Sequence, residues 1–95
     1  SAIIDRAWWD FDSGERGGIE QVKVDTAELI NRLSGDVRVV ATGRGFHVHE
    51  LFEKPVIGSE WARHLDRYQR ERGKGLATLD GVGHPLSISS VGVGL

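Results

Sequence analysis

Cysteine is absent from all 95 residues, which excludes disulfides and every zinc site built on thiolates. Long apolar runs are lacking too. None approaches the ~20 residues that span a bilayer, and the opening residues carry no signal-peptide pattern. Both absences fit a cytoplasmic chain with no membrane partner. A surplus of positive charge is also missing: twelve basic residues stand against fourteen acidic ones, a formal net charge of -2. The chain as a whole is therefore no magnet for polyanions, and any nucleic-acid contact must come from a local patch. There is no internal repeat and no low-complexity linker. Ninety-five residues make one domain, near the lower end of what buries an independent core.

The apolar positions that are present fall in short blocks. Ala2 to Asp12 reads as a strand carrying Ile3, Ile4, Trp8, Trp9 and Phe11, followed by a glycine-rich loop from Ser13 to Gly18. Ile19 to Val24 suits either a helix or a short extra strand. Asp25 with Glu28 three residues on resembles a capping box, and Ala27, Leu29, Ile30 and Leu33 give the following helix an apolar face before Ser34-Gly35 ends it. Val37, Val39 and Val40 mark a strand, Gly43 to Gly45 a turn, and Phe46 to Phe52 the next strand. Ser59 is the expected N-cap of a second helix reaching about Arg72, with Trp61, Ala62, Leu65 and Tyr68 sharing its inner face. Gly73 and Gly75 stop that helix. Leu76 to Leu79 forms a short strand ending at Asp80, and Ile88 to Leu95 is a candidate last strand. The order β-α-β-β-α-β is the split βαβ (ferredoxin-like) pattern. It predicts an antiparallel sheet with both helices on one face and the other face open to a ligand.

Two segments carry chemistry. In a strand, alternate residues share a face, so Asp10 and Asp12 project side by side. Two carboxylates that close repel unless a cation lies between them, and Mg²⁺ or Mn²⁺ favours such oxygen ligands. The alternative is a turn cap beside a solvated strand end. Asp80 closes another strand and is a candidate third ligand, or equally a turn residue before Gly81. In Thr42-Gly43-Arg44-Gly45-Phe46-His47-Val48-His49, the glycines let backbone N–H groups approach an anion and Arg44 supplies a charged fork, although Gly-Arg-Gly is also ordinary hairpin chemistry. His47 and His49 alternate with Phe46 and Val48, which places both imidazoles on the open face if the apolar pair faces the helices. Phosphate or base contact suits them better than zinc, for want of further ligands at supporting spacing. His49 suits a plain solvent-facing role as well. Of the adjacent Trp8 and Trp9, one belongs in the core and the other is free to stack a base or pack on the neighbouring loop. Arg63, His64, Arg67, Arg70, Arg72 and Lys74 form a basic run that reads as a solvated helix face.

Ala7-Trp8-Trp9-Asp10-Phe11-Asp12, Thr42-Gly43-Arg44-Gly45-Phe46-His47 and Leu79-Asp80 together resemble, in order and over nearly the whole chain, the three motifs of the archaeo-eukaryotic primase superfamily. These are the primase-polymerases of archaea, eukaryotes and many plasmids and viruses. The resemblance implies an RRM-like catalytic core, here a minimal one, and metal-dependent nucleotidyl transfer that makes short primers on single-stranded DNA. It assigns Asp10, Asp12 and Asp80 to Mg²⁺ or Mn²⁺. It assigns His47, with Thr42, Gly43 and Arg44 beside it, to the nucleotide's phosphates. It implies nucleoside triphosphates and a DNA template as ligands, a helicase or large primase subunit as partner, and a cytoplasmic archaeal, plasmid or viral replication setting. One departure stands out: Ser87 to Leu95 contains no basic residue, whereas the family places one after the third motif. Rival readings are a non-catalytic RRM-like nucleic-acid-binding module and a metal-dependent nuclease or phosphotransferase.

Overall fold

The structure, a computed structural model, describes residues 2–14 and 17–84. The candidate strand from Ile88 and the segment without basic residues lie outside the described residues. Six elements follow in order: β1 (Ile3–Asp12), α1 (Gly18–Arg32), β2 (Asp36–Ala41), β3 (Gly45–Ile57), α2 (Gly58–Arg72) and β4 (Leu79–Val82). They build one antiparallel sheet of order β2-β3-β1-β4, so the fold is the expected βαββαβ ferredoxin-like arrangement. No helix among the described residues is long and apolar enough to cross a membrane.

The strand period of two divides β1 between two environments. Ala7, Trp9 and Phe11 are buried and join Ile4, Val48, Val22, Leu29 and Leu65 in the core under the helices. Burying side chains the size of Trp9 and Phe11 contributes roughly 2–3 kcal/mol each. The Trp9 indole is also tied down, because its Nε1–H donates to the Gln69 carbonyl at 2.8 Å. A register shift between Ile4 and Arg6, where β3 advances from Val56 to Leu51, is where the inward parity of β1 changes, so that Ile4 and Ala7 are both buried.

Several local expectations need correction. Helix α1 begins at Gly18, and Asp25 lies inside it rather than at its cap. The buried stripe Val22, Asp25, Thr26 and Leu29 runs through Asp25 with helical spacing, and the Asp25 carboxylate accepts from Thr78 across the core and from Gln21 one turn earlier rather than capping the helix. Ala27 is exposed. Helix α2 starts at Gly58 after Ile57, with no side-chain cap, so Ser59 is within the first turn. The tie there is backbone to backbone, Gly58 N–H to Ala2 O at 2.7 Å. Trp61 is 44% exposed and not core. β2 begins opposite Leu51, so beyond Leu51 it no longer flanks β3, and Trp61 borders a groove there with Phe52, Val56, Leu65 and Tyr68. Finally, Leu76 to Thr78 form a turn (Leu79 N–H to Leu76 O, 3.0 Å), which puts Asp80 inside β4 rather than at its end.

Candidate active site

The open face of the sheet carries the residues singled out by sequence. Trp8, Asp10 and Asp12 alternate with buried Trp9 and Phe11. Across the antiparallel pair, Asp10 faces His47, Trp8 faces His49 and Asp12 faces Gly45. On the next strand Val40 faces His47 and Arg38 faces His49. Phe46 and Val48 point toward the helices as expected, and the two imidazoles take the other side.

A bulge brings in the third acid. Asp10 pairs with Gly81 but Phe11 pairs with Leu79, so Asp80 is the extra residue on β4, a device that re-aims side chains at strand ends. Its charge is felt at Asp10. The Asp10 carboxyl is held above the usual carboxylate range, first by burial and then by the Asp80 and Asp12 charges, against the opposing pull of His47. His47 Nε2 lies 3.2 Å from Asp10 Oδ1. Residues 10, 12, 47 and 80, which are far apart in the chain, therefore meet at one end of the open face.

The phosphate-type turn is partly committed to the fold. Asp12 Oδ1 accepts the Gly14 N–H at 2.8 Å and lies 3.8 Å from Arg44 Nε. The exposed Arg44 is thus beside the acids. Thr42 and Gly43 sit in the exposed turn, but the Thr42 N–H already donates to Gly45 O at 2.9 Å, and Arg44 O accepts from Ser13 N at 2.9 Å. Gly45 is needed for packing rather than for an anion: a Cβ there would stand 1.8 Å from the Phe11 carbonyl oxygen.

The donor set suits a hard divalent cation in kind, with Asp10 within electrostatic reach of both Asp12 and Asp80 and raised by burial and then by their charges. Among the described residues, however, no three acids or histidines converge tightly enough to hold a metal ion. Asp10 is engaged by His47 and Asp12 by the Gly14 amide, so a cation would draw both carboxylates from their present contacts.

His49 departs from the solvent-facing role that sequence allowed. It is 1% exposed, and burial, followed by the charges of Arg6 and His47 and opposed by Asp5, pushes its pKa down to about 4. The Trp8 indole lies nearly parallel to it (13°, centroids 5.9 Å apart) and 4.9 Å from His47. Both Trp8 Nε1 and His49 Nδ1 are buried with no hydrogen-bond partner.

Three positioning residues escaped sequence reasoning. Asp25 Oδ2 accepts from the Thr78 N–H (2.9 Å) and hydroxyl (2.6 Å), and Thr78 O accepts the Asp12 N–H at 3.1 Å. One buried carboxylate thereby holds the segment leading into Asp80 against the end of β1. Gln69, 0% exposed, accepts the Trp8 N–H (3.0 Å) and donates to Gly83 O (2.8 Å), fixing β4 beside β1. The signal for both was a polar residue on a buried helical stripe: Gln69 lies four after Leu65, and Asp25 lies between Val22 and Leu29. The basic run on α2 is exposed, in the helix layer away from the open face, with Arg70 paired to Asp66 at 3.1 Å and Arg72 5.1 Å over the Tyr68 ring. No protein-family model, curated protein or solved structure matches this chain.

Proposed function

We propose that the chain is a primase-like catalytic core, a nucleotidyltransferase that extends or initiates primers on single-stranded DNA from nucleoside triphosphates, working with a helicase or a large primase subunit. The observation that carries this reading is the meeting of Asp10, Asp12, Asp80 and His47 at one end of the sheet face opposite the helices. That face gives a substrate a flat approach, and the chemistry asks mainly for positioning and charge.

Asp10, Asp12 and Asp80 would hold Mg²⁺ or Mn²⁺, which when bound supplies charge neutralisation and lowers the pKa of a 3′-hydroxyl. His47 and the exposed Arg44, at the border of the acids, suit the triphosphate: an imidazole donor and a guanidinium fork orient phosphate oxygens. The exposed turn at Thr42 and Gly43 leads into Arg44 beside that position.

The direct test is Mn²⁺-dependent incorporation of labelled nucleotides on primed and unprimed templates, with Asp10→Ala plus Asp12→Ala as the control. Incorporation that the double variant abolishes is the expected result. No incorporation, with single-strand binding undiminished by the double variant, would reject the catalytic reading. It would favour a non-catalytic RRM-like module, a reading supported by Trp8 on β1 and His47 on β3, the two central strands where such modules stack bases.

A further inference from the structure

We infer that Trp8 is a stacking platform for a nucleobase, continuous with the acidic end of the face. The inference rests on the reading of the open face as a nucleotide-bearing surface, but not on catalysis. Trp8 precedes Asp10 by two residues on the same side of β1, so the indole begins about 7 Å from the carboxylate, roughly the distance from a phosphate to the base of the same nucleotide.

Three observations set this side chain apart from an ordinary surface aromatic. The indole lies nearly parallel to the His49 ring and close to His47, so three rings cluster on the open face, and His49, its cross-strand neighbour, is almost completely excluded from solvent. One face of the indole is set against His49, and the remainder of the half-buried ring is what a base would stack on. The neighbours complete a base-sized patch: His47 on one side, and beyond it Val40, 38% exposed on the open face of β2. Arg38, exposed, opposite His49 and paired at 3.2 Å with the equally exposed Asp36, is the cation at the far margin that a backbone phosphate would have to draw from that surface pair. Moreover, the present packing leaves Trp8 Nε1 and His49 Nδ1 buried without partners. Such orphaned groups are rare in a surface built only for stability. Aromatic stacking is tolerant of base identity, so the patch selects a base as a class rather than a sequence.

The base could belong to the template strand or to the incoming nucleotide. The experiment separates them by measuring binding, without divalent ion, of a short thymidine oligomer, an abasic oligomer of equal length and free dTTP. Wild type is compared with Trp8→Leu and Trp8→Phe. Trp8→Leu should weaken the base-bearing ligand by about five- to a hundredfold, Trp8→Phe by no more than about threefold, and neither should alter the abasic oligomer. Loss confined to the oligomer assigns the patch to the template, and loss confined to dTTP assigns it to the incoming nucleotide. In the Trp61→Phe protein, which lacks the exposed indole of α2, base-bearing ligand should quench tryptophan emission and the abasic oligomer should not. This second readout needs no change at Trp8. Equal binding by Trp8→Leu and wild type, equal quenching by the abasic oligomer, or no binding of any base-bearing probe by wild type overturns the inference. Because no metal is present, a failure of incorporation would count against the catalytic proposal alone.

Discussion

His47 Nε2 lies 3.2 Å from Asp10 Oδ1, across the central β1–β3 pair. The contact joins two motifs nearly forty positions apart in the chain and partly offsets the burial and like charge that raise the Asp10 carboxyl. A carboxylate whose folded pKa is raised opposes folding once ionised; the opposition fades as pH falls through that pKa. At neutral pH, Asp10→Asn removes the disfavoured charge but also the half-exposed His47 pair, worth about 0–1 kcal/mol. The expected outcome is a melting temperature equal to or above wild type, with incorporation lowered at least about a hundredfold. A clear drop in melting temperature would mean that Asp10 serves the fold rather than the site.

Asp25 should behave oppositely. Burial acts to raise its carboxyl, but the bonds from the Thr78 hydroxyl and amide, with help from Gln21 and Arg32, outweigh this and hold it below the usual range. Its contribution to stability is therefore complete above the unfolded pKa of about 3.9 and is lost as pH falls through the lower folded value. Asp25→Ala strands the buried Thr78 N–H and hydroxyl and should cost about 3 kcal/mol, whereas Asp25→Asn, which keeps an acceptor, should cost about half that. Denaturant melts give the energies. Hydrogen exchange should report faster opening of the Thr78 and Asp12 amides in both variants, because Asp12 N–H bonds to Thr78 O.

The strand residues of the candidate site were legible because a period of two leaves little choice once Trp9 and Phe11 are inside: Asp10 and Asp12 must then point out. The same parity placed His47 opposite Phe46. What sequence could not supply was depth. His49 shares its face with His47, yet the Trp8 indole beside it and Arg6 leave it closed to solvent. Asp25 looked like a cap because Asp before a helical pattern usually is one; its true partner lies 53 residues away and has no local signature. Trp61 looked like core by spacing alone, but it borders the part of β3 that β2 does not reach.

The two glycines around Arg44 should differ sharply. Neither has a positive φ, so conformational freedom is not the issue at either position. A Cβ on Gly45 would collide with the backbone of Phe11, while one on Gly43 would meet nothing within 4 Å. Gly45→Ala is expected to cost about 2 kcal/mol or more by pushing β3 from β1, and Gly43→Ala to stay within about 0.5 kcal/mol. Urea titrations of the two variants distinguish a packing glycine from one that only allows an approach to the turn.

The buried His49 makes stability depend on pH between its two pKa values. Its charged form is disfavoured in the fold, with a pKa of about 4 against an ordinary 6.5. Above about pH 6.5 both states are neutral and the fold keeps its full stability. As pH falls from 6.5 toward 4 the unfolded chain takes up a proton that the folded chain refuses, and stability declines by at most about 3 kcal/mol. Below 4 the folded imidazole protonates as well and this particular loss levels off. Arg6 and His47 nearby push in the same direction, and Asp5 only partly offsets them because its carboxylate is already held by Arg6 at 2.8 Å. His49→Gln, which cannot protonate, should flatten the curve over that window. Unfolding free energies of the two proteins measured from pH 7.5 to 4.5 check this, and parallel curves would show that His49 stays accessible to protons in the folded state.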